Sequence, residues 1–598
     1  MAGFLFLEDN QKRTGLMKRQ IICLFACVIL IGCSNTPEDD TALRIQMEVL
    51  YGENKELQEV PEGQPVAIVE NGVFVGQCND GVLSFKGIPY AKPPVGKLRW
   101  HAPQRIDSSN VIREACYFGK SGIQTLSSSV RASYYKQGED CLTLNVWAAS
   151  DTTRHRPVMV WIHGGSYGWG GTSDPLFDGH NFVKAHPEVV LVTINYRLGL
   201  LGFLDLTQME GGEDYAESGN LGLLDQVAAL EWIQRNIAAF GGEASQVIIF
   251  GESAGGGSVS LLTVMPRARG LFQRAIVESG SVALSSTREE HKLLVERVQK
   301  ATGAKCVNDL MKLSESDLMT INEGLNEYNC FPLRDGIILP LDPYAAYTSG
   351  AAKDVDMLMG TNGDEARFWI KSMGGLDMYK LMLSVWFDNV LMDLDNENRH
   401  QVEQFVDNRD DERVWNLSEF MTELMFRGPM LTMADAHSSS GGNTFVYYWS
   451  YPSARPLCGA CHAVEVSYVL NNPQDTIYTG GNVNLALAAE VQKMWVNFAM
   501  TGNPSTTLHN FPCYDTASRQ CMRLDTTMCV EKDLLSEQRQ VVSPLVPLYI
   551  SPLYCNMSLN VPTIWYCAAW VVIPLFLLVA LLVWLFRRRR KKTLSQDE

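Results

Sequence analysis

The sequence predicts an α/β fold built on a large, mostly parallel sheet, and three observations support this prediction. Short apolar runs such as Val158–Ile162 and Val247–Phe250 are typical of strands that are covered on both faces. They alternate with helical patterns, the clearest from Asn220 to Ala239, and such alternation is typical of parallel sheets with right-handed crossovers. Apolar residues make up 46% of the 598 residues, which is enough for a sizeable core.

Other strands are predicted on both sides of this central pattern. An Asn71-Gly72 turn between two short apolar runs favours a β-hairpin near the start. Further strands are predicted at Val189–Asn195, Met357–Met359 and Phe445–Tyr448. The sequence has no internal repeat and no clear internal boundary. We therefore predict one globular domain over residues 63–545, preceded by a polar, acidic linker over residues 34–62.

Charge and cysteine spacing exclude several function classes. The formal net charge is −17, and an acidic surface repels phosphate backbones, so we predict no nucleic-acid partner. Cys458 and Cys461 form a C-x-x-C pair, but no second pair accompanies it at zinc-site spacing. We interpret this pair as structural, and we predict neither a metal nor a cofactor.

The first residues predict export. Two basic residues precede an apolar run over residues 21–32, which is too short to span a bilayer and is typical of a signal peptide. We predict this peptide over residues 1–33. Translation starts at either Met1 or Met17, and Cys33 ends a sequence that resembles a bacterial lipobox. The sequence leaves these choices open.

The last residues predict a membrane anchor. Ile564–Phe586 contains no charge, and at about 1.5 Å per residue it can cross a hydrocarbon core of roughly 30 Å. Six basic residues follow, so the positive-inside rule places the tail, residues 587–598, in the cytoplasm. With residues 546–563 as a stalk, we predict a single-pass type I membrane protein. Its main domain lies outside the cell, or in the periplasm or on the outer surface of a bacterium.

Cysteines and asparagines predict modifications of an exported chain. Of 15 cysteines, eleven lie within residues 78–555, so we predict several disulfides with at least one cysteine left over. Cys306 with Cys330 is a local candidate pair. In a eukaryotic host, Asn416 and Asn556 are glycosylation acceptors, since each begins an N-x-S sequence.

A serine between a strand and a helix is the strongest candidate for chemistry. Gly251–Gly255 is a G-x-S-x-G sequence that follows the strand at Val247–Phe250 and precedes a helix near Ser258. This arrangement lifts a serine hydroxyl above the sheet edge as a nucleophile. A second G-x-S-x-G surrounds Ser166, but a polar loop follows it instead of a helix. We therefore predict that Ser253 is the nucleophile.

The chain resembles the type-B carboxylesterase and cholinesterase family of α/β-hydrolases over roughly residues 65–540. The resemblance implies an α/β-hydrolase fold and hydrolysis of carboxylic esters through an acyl-enzyme. The sequences that carry it are Phe85–Trp100, Glu139–Leu142, Trp161–Gly165, Asn195–Gly199, Gly219–Gln226, the turn at Ser253 and Thr501–Pro504.

A nucleophilic serine needs a base, and the base needs an acid that fixes its tautomer. In this fold the order along the chain is serine, acid, histidine. Glu365 follows the strand at Met357 and matches the family's acid, with Asp364 as the alternative. His462 matches the family's histidine loop. Three other histidines follow Glu365 but lack this context, namely His400, His437 and His509.

The resemblance also implies an oxyanion hole made of backbone N–H groups. Gly164 and Gly165 follow a predicted strand, and Ala254 follows the nucleophile. Many family members have a third glycine where this chain has Ser166, whose backbone N–H is retained. We interpret His163 as a packing residue rather than as a second base.

Residues beside the predicted catalytic groups point to a substrate class. Glu252, Phe368 and Trp369 are expected to line the pocket. Cholinesterases of the family have a tryptophan where this chain has Arg131, so we predict a general carboxylesterase acting on small-molecule esters. The alternatives are a cholinesterase-like enzyme and a cell-surface adhesion protein resembling neuroligins, which typically lack the nucleophile. A protein partner or a homodimer stays open.

Overall fold

The structure is a computed structural model that describes residues 52–124, 135–325, 330–372, 374–407, 412–481 and 483–547. The predicted signal peptide, the transmembrane segment, the cytoplasmic tail and Asn556 all lie outside the described residues. Among the residues described, no helix has the length and apolar character needed to cross a membrane. Residues Ile370–Leu394 belong to one compact unit, and the rest of the described chain belongs to another.

An eleven-stranded sheet forms the centre of the larger unit. Seven neighbouring strands at its centre run parallel, and antiparallel strands flank them at both edges, so the predicted mostly parallel sheet is confirmed. In spatial order the strands are β15 (Cys529–Lys532), β14 (Gln520–Leu524), β13 (Thr444–Trp449), β12 (Asp356–Asn362), β11 (Arg274–Glu278), β10 (Gly242–Glu252), β8 (Arg156–Ile162), β9 (Val190–Ile194), β7 (Thr143–Ala149), β5 (Val82–Pro89) and β4 (Gln77–Asn79).

A second sheet of four strands contains the predicted hairpin. Its spatial order is β1 (Glu56–Leu57), β6 (Ile112–Glu114), β3 (Gly72–Val75) and β2 (Val66–Val69). β2 and β3 are antiparallel with Val69 opposite Gly72, which confirms the hairpin. Its two turn residues are Glu70 and Asn71, one position before the predicted Asn71-Gly72, because Gly72 already belongs to β3. The predicted linker is not wholly irregular, since β1 lies in its last part and pairs with β6.

Helices fill the connections between the strands. The predicted helix from Asn220 is observed, and it ends through a 3₁₀ turn at Gly241, whose φ of 78° favours glycine. The helices are α1 (His180–Ala185), α2 (Gly199–Phe203), α3 (Leu221–Asn236), α4 (Ala254–Val264), α5 (Arg288–Thr302), α6 (Val307–Leu310), α7 (Glu315–Leu325), α8 (Pro343–Thr348), α9 (Trp369–Ser372), α10 (Leu376–Asp393), α11 (Asn396–Asp407), α12 (Arg413–Thr422), α13 (Gly428–Ser439), α14 (Val466–Val469), α15 (Leu485–Thr501) and α16 (Ser536–Val542).

The central strands are apolar throughout because both faces of the sheet are covered. On β10, Val247 and Ile249 belong to one apolar cluster, while Ile248 and Phe250 belong to a second. Successive side chains of a strand point to opposite faces, so the two clusters lie on the two sides of the sheet. Side chains of α3 belong to the first cluster and side chains of α15 to the second. Burial on both faces explains why these strands do not alternate between polar and apolar residues.

Two of the sequences that carry the family resemblance meet in a buried ion pair. Arg197 donates to Asp225 through Nη2 at 2.6 Å and through Nε at 2.8 Å, and both side chains are almost fully buried. A bidentate pair of this kind is costly to break, because removal of one partner leaves a buried charge. These two residues therefore hold the strand-to-helix connections in place and lie outside the chemistry.

The disulfide prediction is wrong for the described part of the chain. No disulfide joins any of its ten cysteines. The candidate pair fails because Cys306 faces Asp309, whose carboxylate oxygen lies 3.5 Å from its sulfur, while Cys330 is buried in an apolar cluster. Cys458 and Cys461 are both buried and belong to the apolar cluster that includes side chains of α15.

The predicted glycosylation of Asn416 is also wrong. Asn416 lies in α12 with only 1% of its surface exposed, and its side-chain amide donates to the Val406 carbonyl at 2.9 Å. A glycan acceptor needs an exposed amide nitrogen. The N-x-S sequence here therefore belongs to a buried helix face.

Candidate active site

The chain passes directly from β10 to α4 through Ser253, which makes the turn alone. Its φ of 57° and ψ of −122° are unusual for a residue with a side chain, as expected for a strained nucleophile turn. A Cβ on Gly251 would lie 2.4 Å from the Ile162 carbonyl oxygen, and a Cβ on Gly255 would lie 2.0 Å from the same oxygen. Both glycines of the G-x-S-x-G sequence are thus required by contact with the end of β8.

The glycine loop after β8 packs against this turn. A Cβ on Gly164 would lie 2.6 Å from the carbonyl oxygen of Glu252 and 3.1 Å from Cβ of Ser253. Gly165 has a φ of 106°, which favours glycine. Within the described residues, the backbone N–H groups of Gly164, Gly165 and Ala254 have no hydrogen-bond acceptor. The loop predicted to hold an oxyanion therefore lies next to the predicted nucleophile.

His163 packs as predicted. Its ring stacks on Tyr196 with centroids 4.6 Å apart, and its Nδ1–H donates to the Gly164 carbonyl at 2.8 Å. Burial lowers the pKa of His163 to about 4, so the ring is neutral at physiological pH. Its contact with Gly164 supports the conformation of the glycine loop.

Glu365 and His462 meet, although they follow different strands. Glu365 begins a 3₁₀ turn that is separated from the end of β12 by two residues, and its Oε2 lies 2.6 Å from Nδ1 of His462. Its Oε1 accepts the Ser279 hydroxyl at 2.5 Å and the Asn362 N–H at 2.7 Å. The carboxylate is fully buried, so these three contacts satisfy a charge that water does not reach.

Asp364, the alternative acid, has a different set of contacts. Its Oδ2 accepts the Ala460 N–H at 2.9 Å, and its own N–H donates to the Ala460 carbonyl at 2.9 Å. It also forms an ion pair with Arg367 at 2.9 Å. Asp364 therefore holds the loop before His462 against the loop that carries Glu365.

The second ring nitrogen of His462 faces Glu252. Nε2 lies 3.0 Å from Oε1 of Glu252, although that oxygen accepts no well-directed hydrogen bond. The described residues include no hydrogen bond between the Ser253 hydroxyl and His462. Burial opposes a charge on the ring, but Glu252 and Glu365 outweigh it and raise the pKa of His462 well above its usual value. The imidazole therefore lies between two carboxylates, and both favour its protonated form.

More carboxyl groups are buried here than one imidazolium can neutralise. Glu278 lies opposite Glu252 in the β10–β11 register and accepts the Trp495 indole N–H at 2.8 Å. Burial raises the pKa of Glu278 to about 8. Glu465 accepts from the side-chain amide of Asn362 at 2.5 Å, and burial raises its pKa well above the usual value. Glu278 is thus mostly protonated at neutral pH.

Aromatic rings surround the histidine. The centroids of Phe368, Trp369 and Phe426 lie 5.6, 6.3 and 4.8 Å from that of His462. Phe426 belongs to a π-helical segment, Glu423–Arg427, between α12 and α13. Segments of this kind often occur at functional sites, because the wider turn displaces side chains.

The remaining histidines lie elsewhere. Each of them contacts other residues. His400 contacts Gln404, and His509 contacts Glu490. His437 contacts Thr444 and the Ala352 carbonyl. Sequence reasoning missed Ser279, Glu465 and Phe426. Ser279 directly follows β11, so its position at the carboxyl edge of the sheet was a usable signal. Phe426 has no comparable local signal.

The chain matches the model of the carboxylesterase family over residues 64–542. The chain belongs to this family. Para-nitrobenzyl esterase of Bacillus subtilis (strain 168) is 35% identical over 506 residues, which cover 80% of this chain and 98% of that protein. Liver carboxylesterase 1 of Oryctolagus cuniculus is 33% identical over 514 residues, which cover 76% of this chain and 89% of that protein.

Solved structures of carboxylesterases share the fold. The carboxylesterase of Geobacillus stearothermophilus superposes with a TM-score of 0.72 at 32% identity, over 80% of this chain and 99% of its own. A thermophilic pnb esterase superposes with a TM-score of 0.72 at 33% identity, over 80% of this chain and all of its own. The α/β-hydrolase fold is thereby confirmed, and this carboxylesterase-family chain is a carboxylic ester hydrolase acting on small-molecule esters.

Proposed function

We propose that the chain hydrolyses carboxylic esters through an acyl-enzyme, with Ser253 as nucleophile, His462 as general base and Glu365 as the acid that orients it. The observation that supports this most is the 2.6 Å contact between Nδ1 of His462 and Glu365, beside a serine held in a strained turn. A hydrogen-bonded acid fixes which nitrogen carries the proton, so the other nitrogen is available as a base.

The first chemical step moves one proton. The ring acts as a base in its neutral form, in which Nε2 of His462 carries no proton. Nε2 then accepts the proton of the Ser253 hydroxyl while Oγ attacks the ester carbonyl. Nδ1–H stays on Glu365, which stabilises the imidazolium that forms. The imidazolium then protonates the leaving alcohol, and an acyl-enzyme remains. Water attacks the acyl group in the same way, with His462 again as the base.

The tetrahedral intermediate places a negative charge on the former carbonyl oxygen. We propose that the N–H groups of Gly164, Gly165 and Ala254 hold this charge. Two observations support this proposal: Gly164 approaches Ser253 closely, and none of the three N–H groups has an acceptor among the described residues. Removal of one such donor in comparable enzymes lowers the rate roughly 10²- to 10³-fold.

The pocket walls favour apolar esters. Phe368, Trp369 and Phe426 provide aromatic surface beside His462, and Glu252 is the nearby carboxylate. We propose a general carboxylesterase rather than a choline-specific enzyme, a distinction that rests on Arg131, which lies outside the described residues. Rates on butyrylcholine and on a matched neutral butyrate ester would test it. A large preference for the choline ester would contradict the proposal.

The decisive experiment removes the nucleophile. Full-length protein and its Ser253→Ala variant are compared on short-chain p-nitrophenyl esters, with Ser245→Ala as a matched control. Ser245 is an exposed serine on the same strand, β10. We expect Ser253→Ala to lose at least roughly 10³-fold in kcat, while Ser245→Ala retains activity. Equal activity of wild type and Ser253→Ala would refute the assignment.

We also propose that residues 564–586 anchor the enzyme in a membrane as a type I protein. The support is the uninterrupted apolar sequence and the basic residues after it. Membrane fractions washed with alkaline carbonate should retain the full chain and lose a chain that ends before residue 564. Recovery of both in the wash would contradict the anchor.

A further inference from the structure

Asn362 is the last residue of β12, and its side chain contacts the loop that carries His462. It lies opposite Trp449 in the register of β12 and β13, and the next N–H, from Gly363, donates to the Trp449 carbonyl at 2.9 Å. Asn362 is also fully buried. A residue at the end of a paired strand is held more rigidly than a residue in a loop. Asn362 can therefore serve as a fixed point for the loops around it.

The side-chain amide of Asn362 contacts the histidine loop on both sides of His462. Nδ2 donates to the Cys461 carbonyl at 3.0 Å and to Oε2 of Glu465 at 2.5 Å. Cys461 directly precedes His462 in the chain, and Glu465 follows it by three residues. Both acceptor residues are buried. One amide group therefore fixes the chain before and after the proposed base.

The backbone of the same residue holds the proposed acid. The N–H of Asn362 donates to Oε1 of Glu365 at 2.7 Å, while Oε2 of Glu365 lies 2.6 Å from Nδ1 of His462. Rotation of this carboxylate away from the histidine would break its bond to Asn362. Asn362 thus contacts the acid through its backbone and the histidine loop through its side chain.

These contacts require a hydrogen-bond donor on the side chain of residue 362. Oδ1 of Asn362 has no hydrogen-bond partner among the described residues, so the two bonds from Nδ2 decide how the amide is oriented. An aspartate has the same shape, but its ionised carboxylate only accepts hydrogen bonds. It would face the oxygens of Cys461 and Glu465 in a buried site, where unpaired acceptors are costly.

We propose that Asn362 is a positioning residue for ester hydrolysis, which holds the proposed base and the proposed acid in contact. This inference rests on the proposed roles of His462 and Glu365, because Asn362 acts through these two residues. Loss of the amide lets the histidine loop move relative to β12. A displacement of about 1 Å at a catalytic group lowers the rate roughly 10²-fold.

The test compares the full-length protein with Asn362→Asp, which keeps the shape of the side chain and removes its donor. kcat and KM are measured on short-chain p-nitrophenyl esters, and thermal unfolding establishes that each variant is folded at the assay temperature. Asn236→Asp is the matched control, because Asn236 is also a buried asparagine that donates to a backbone carbonyl, that of Trp232 at 2.9 Å. We expect Asn362→Asp to lose roughly 10²-fold in kcat with KM within about twofold of wild type, whereas Asn236→Asp keeps its kcat.

Reversal of donor and acceptor gives a readout that a merely structural role would not move. In Asn362→Asp combined with Glu465→Gln, the glutamine amide can donate to the aspartate, so the bond between the two positions returns with opposite polarity. We expect this double variant to recover roughly tenfold in kcat over Asn362→Asp, and not more, since the bond to Cys461 stays lost. A double variant whose loss equals the product of the two single losses would overturn the inference, as would an Asn362→Asp variant with the kcat of wild type.

Asn362→Ala keeps the inference testable should the aspartate variant fail to fold, because alanine adds no charge. It should still lose roughly tenfold in kcat at unchanged KM, and a kcat equal to that of wild type would overturn the inference. Ser253→Ala separates the two proposals. Activity retained by Ser253→Ala means that the proposed function fails. If Ser253→Ala is inactive while both variants at Asn362 keep their kcat, only the positioning role fails.

Discussion

Replacement of Glu278 by glutamine should remove a pH-dependent loss of stability. Glu278 is fully buried, and burial raises its pKa from 4.5 to about 8. Between these two values the folded protein keeps a proton that the unfolded chain releases. The free energy of unfolding must therefore fall as pH rises through this window.

The magnitude follows from the width of the window. A difference of about 3.5 pH units, at about 1.4 kcal/mol per unit, sets a ceiling of about 5 kcal/mol by pH 8. Glutamine cannot titrate, has nearly the same shape, and keeps an oxygen that can accept the Trp495 indole N–H. Glu278→Gln should thus become progressively more stable than wild type as pH rises from 5 to 8.

Urea unfolding followed by tryptophan fluorescence at pH 5, 6, 7 and 8 measures this difference. The difference between variant and wild type should grow by about 1 kcal/mol per pH unit. Other titrating groups are shared by both proteins and largely cancel. Glu231→Gln, at an exposed position on α3, serves as the control and should follow wild type at every pH. A constant difference between Glu278→Gln and wild type would refute the claim that Glu278 is buried with its proton.

Four further outcomes follow from the site. Glu252→Gln removes a carboxylate that raises the His462 pKa, so the rise of kcat/KM with pH should move to lower pH, and an unmoved profile would contradict this. Glu365→Gln should lower kcat roughly 10⁴-fold, measured with saturating p-nitrophenyl ester, because no carboxylate then holds the His462 ring in the tautomer with its proton on Nδ1. Gly255→Ala forces a Cβ into the backbone of β8, so its melting temperature should fall sharply; an unchanged value would show that the turn can relax. Asp225→Ala leaves Arg197 buried and unpaired, so the free energy of unfolding measured in urea should fall by about 3–5 kcal/mol. A fall of less than about 1 kcal/mol would contradict this prediction.

The parts of the site that the sequence predicted are those fixed by local geometry. The turn at Ser253 was predictable because a strand, two glycines and a helix follow one another within a few residues, and only small residues fit there. Glu365 and His462 were predictable from their order along the chain and from the strands before them. Their 2.6 Å contact was not, because it depends on how β12 and β13 pair.

The features that the sequence did not predict depend on packing. Asn416 has an acceptor sequence for a glycan, yet its burial is decided by the fold of α12. Cys306 lies near Cys330 in sequence, yet its side chain faces an aspartate. Phe426 reaches the active-site histidine only because a π-helical segment alters the helix around it. The raised pKa of Glu278 results mainly from its burial, which depends on how the elements around β11 pack together rather than on any one segment.

The pairing of β10, β11, β12 and β13 also has a consequence for synthesis. Parallel neighbours cannot be joined by tight turns, so the chain between them is long and the contacts are non-local. His462 leaves the ribosome roughly 200 residues after Ser253, on the order of 10–40 s later at ordinary elongation rates. During that interval the apolar strands around Ser253 have no complete sheet to join. This stretch of the chain is therefore exposed to aggregation while the protein is being made.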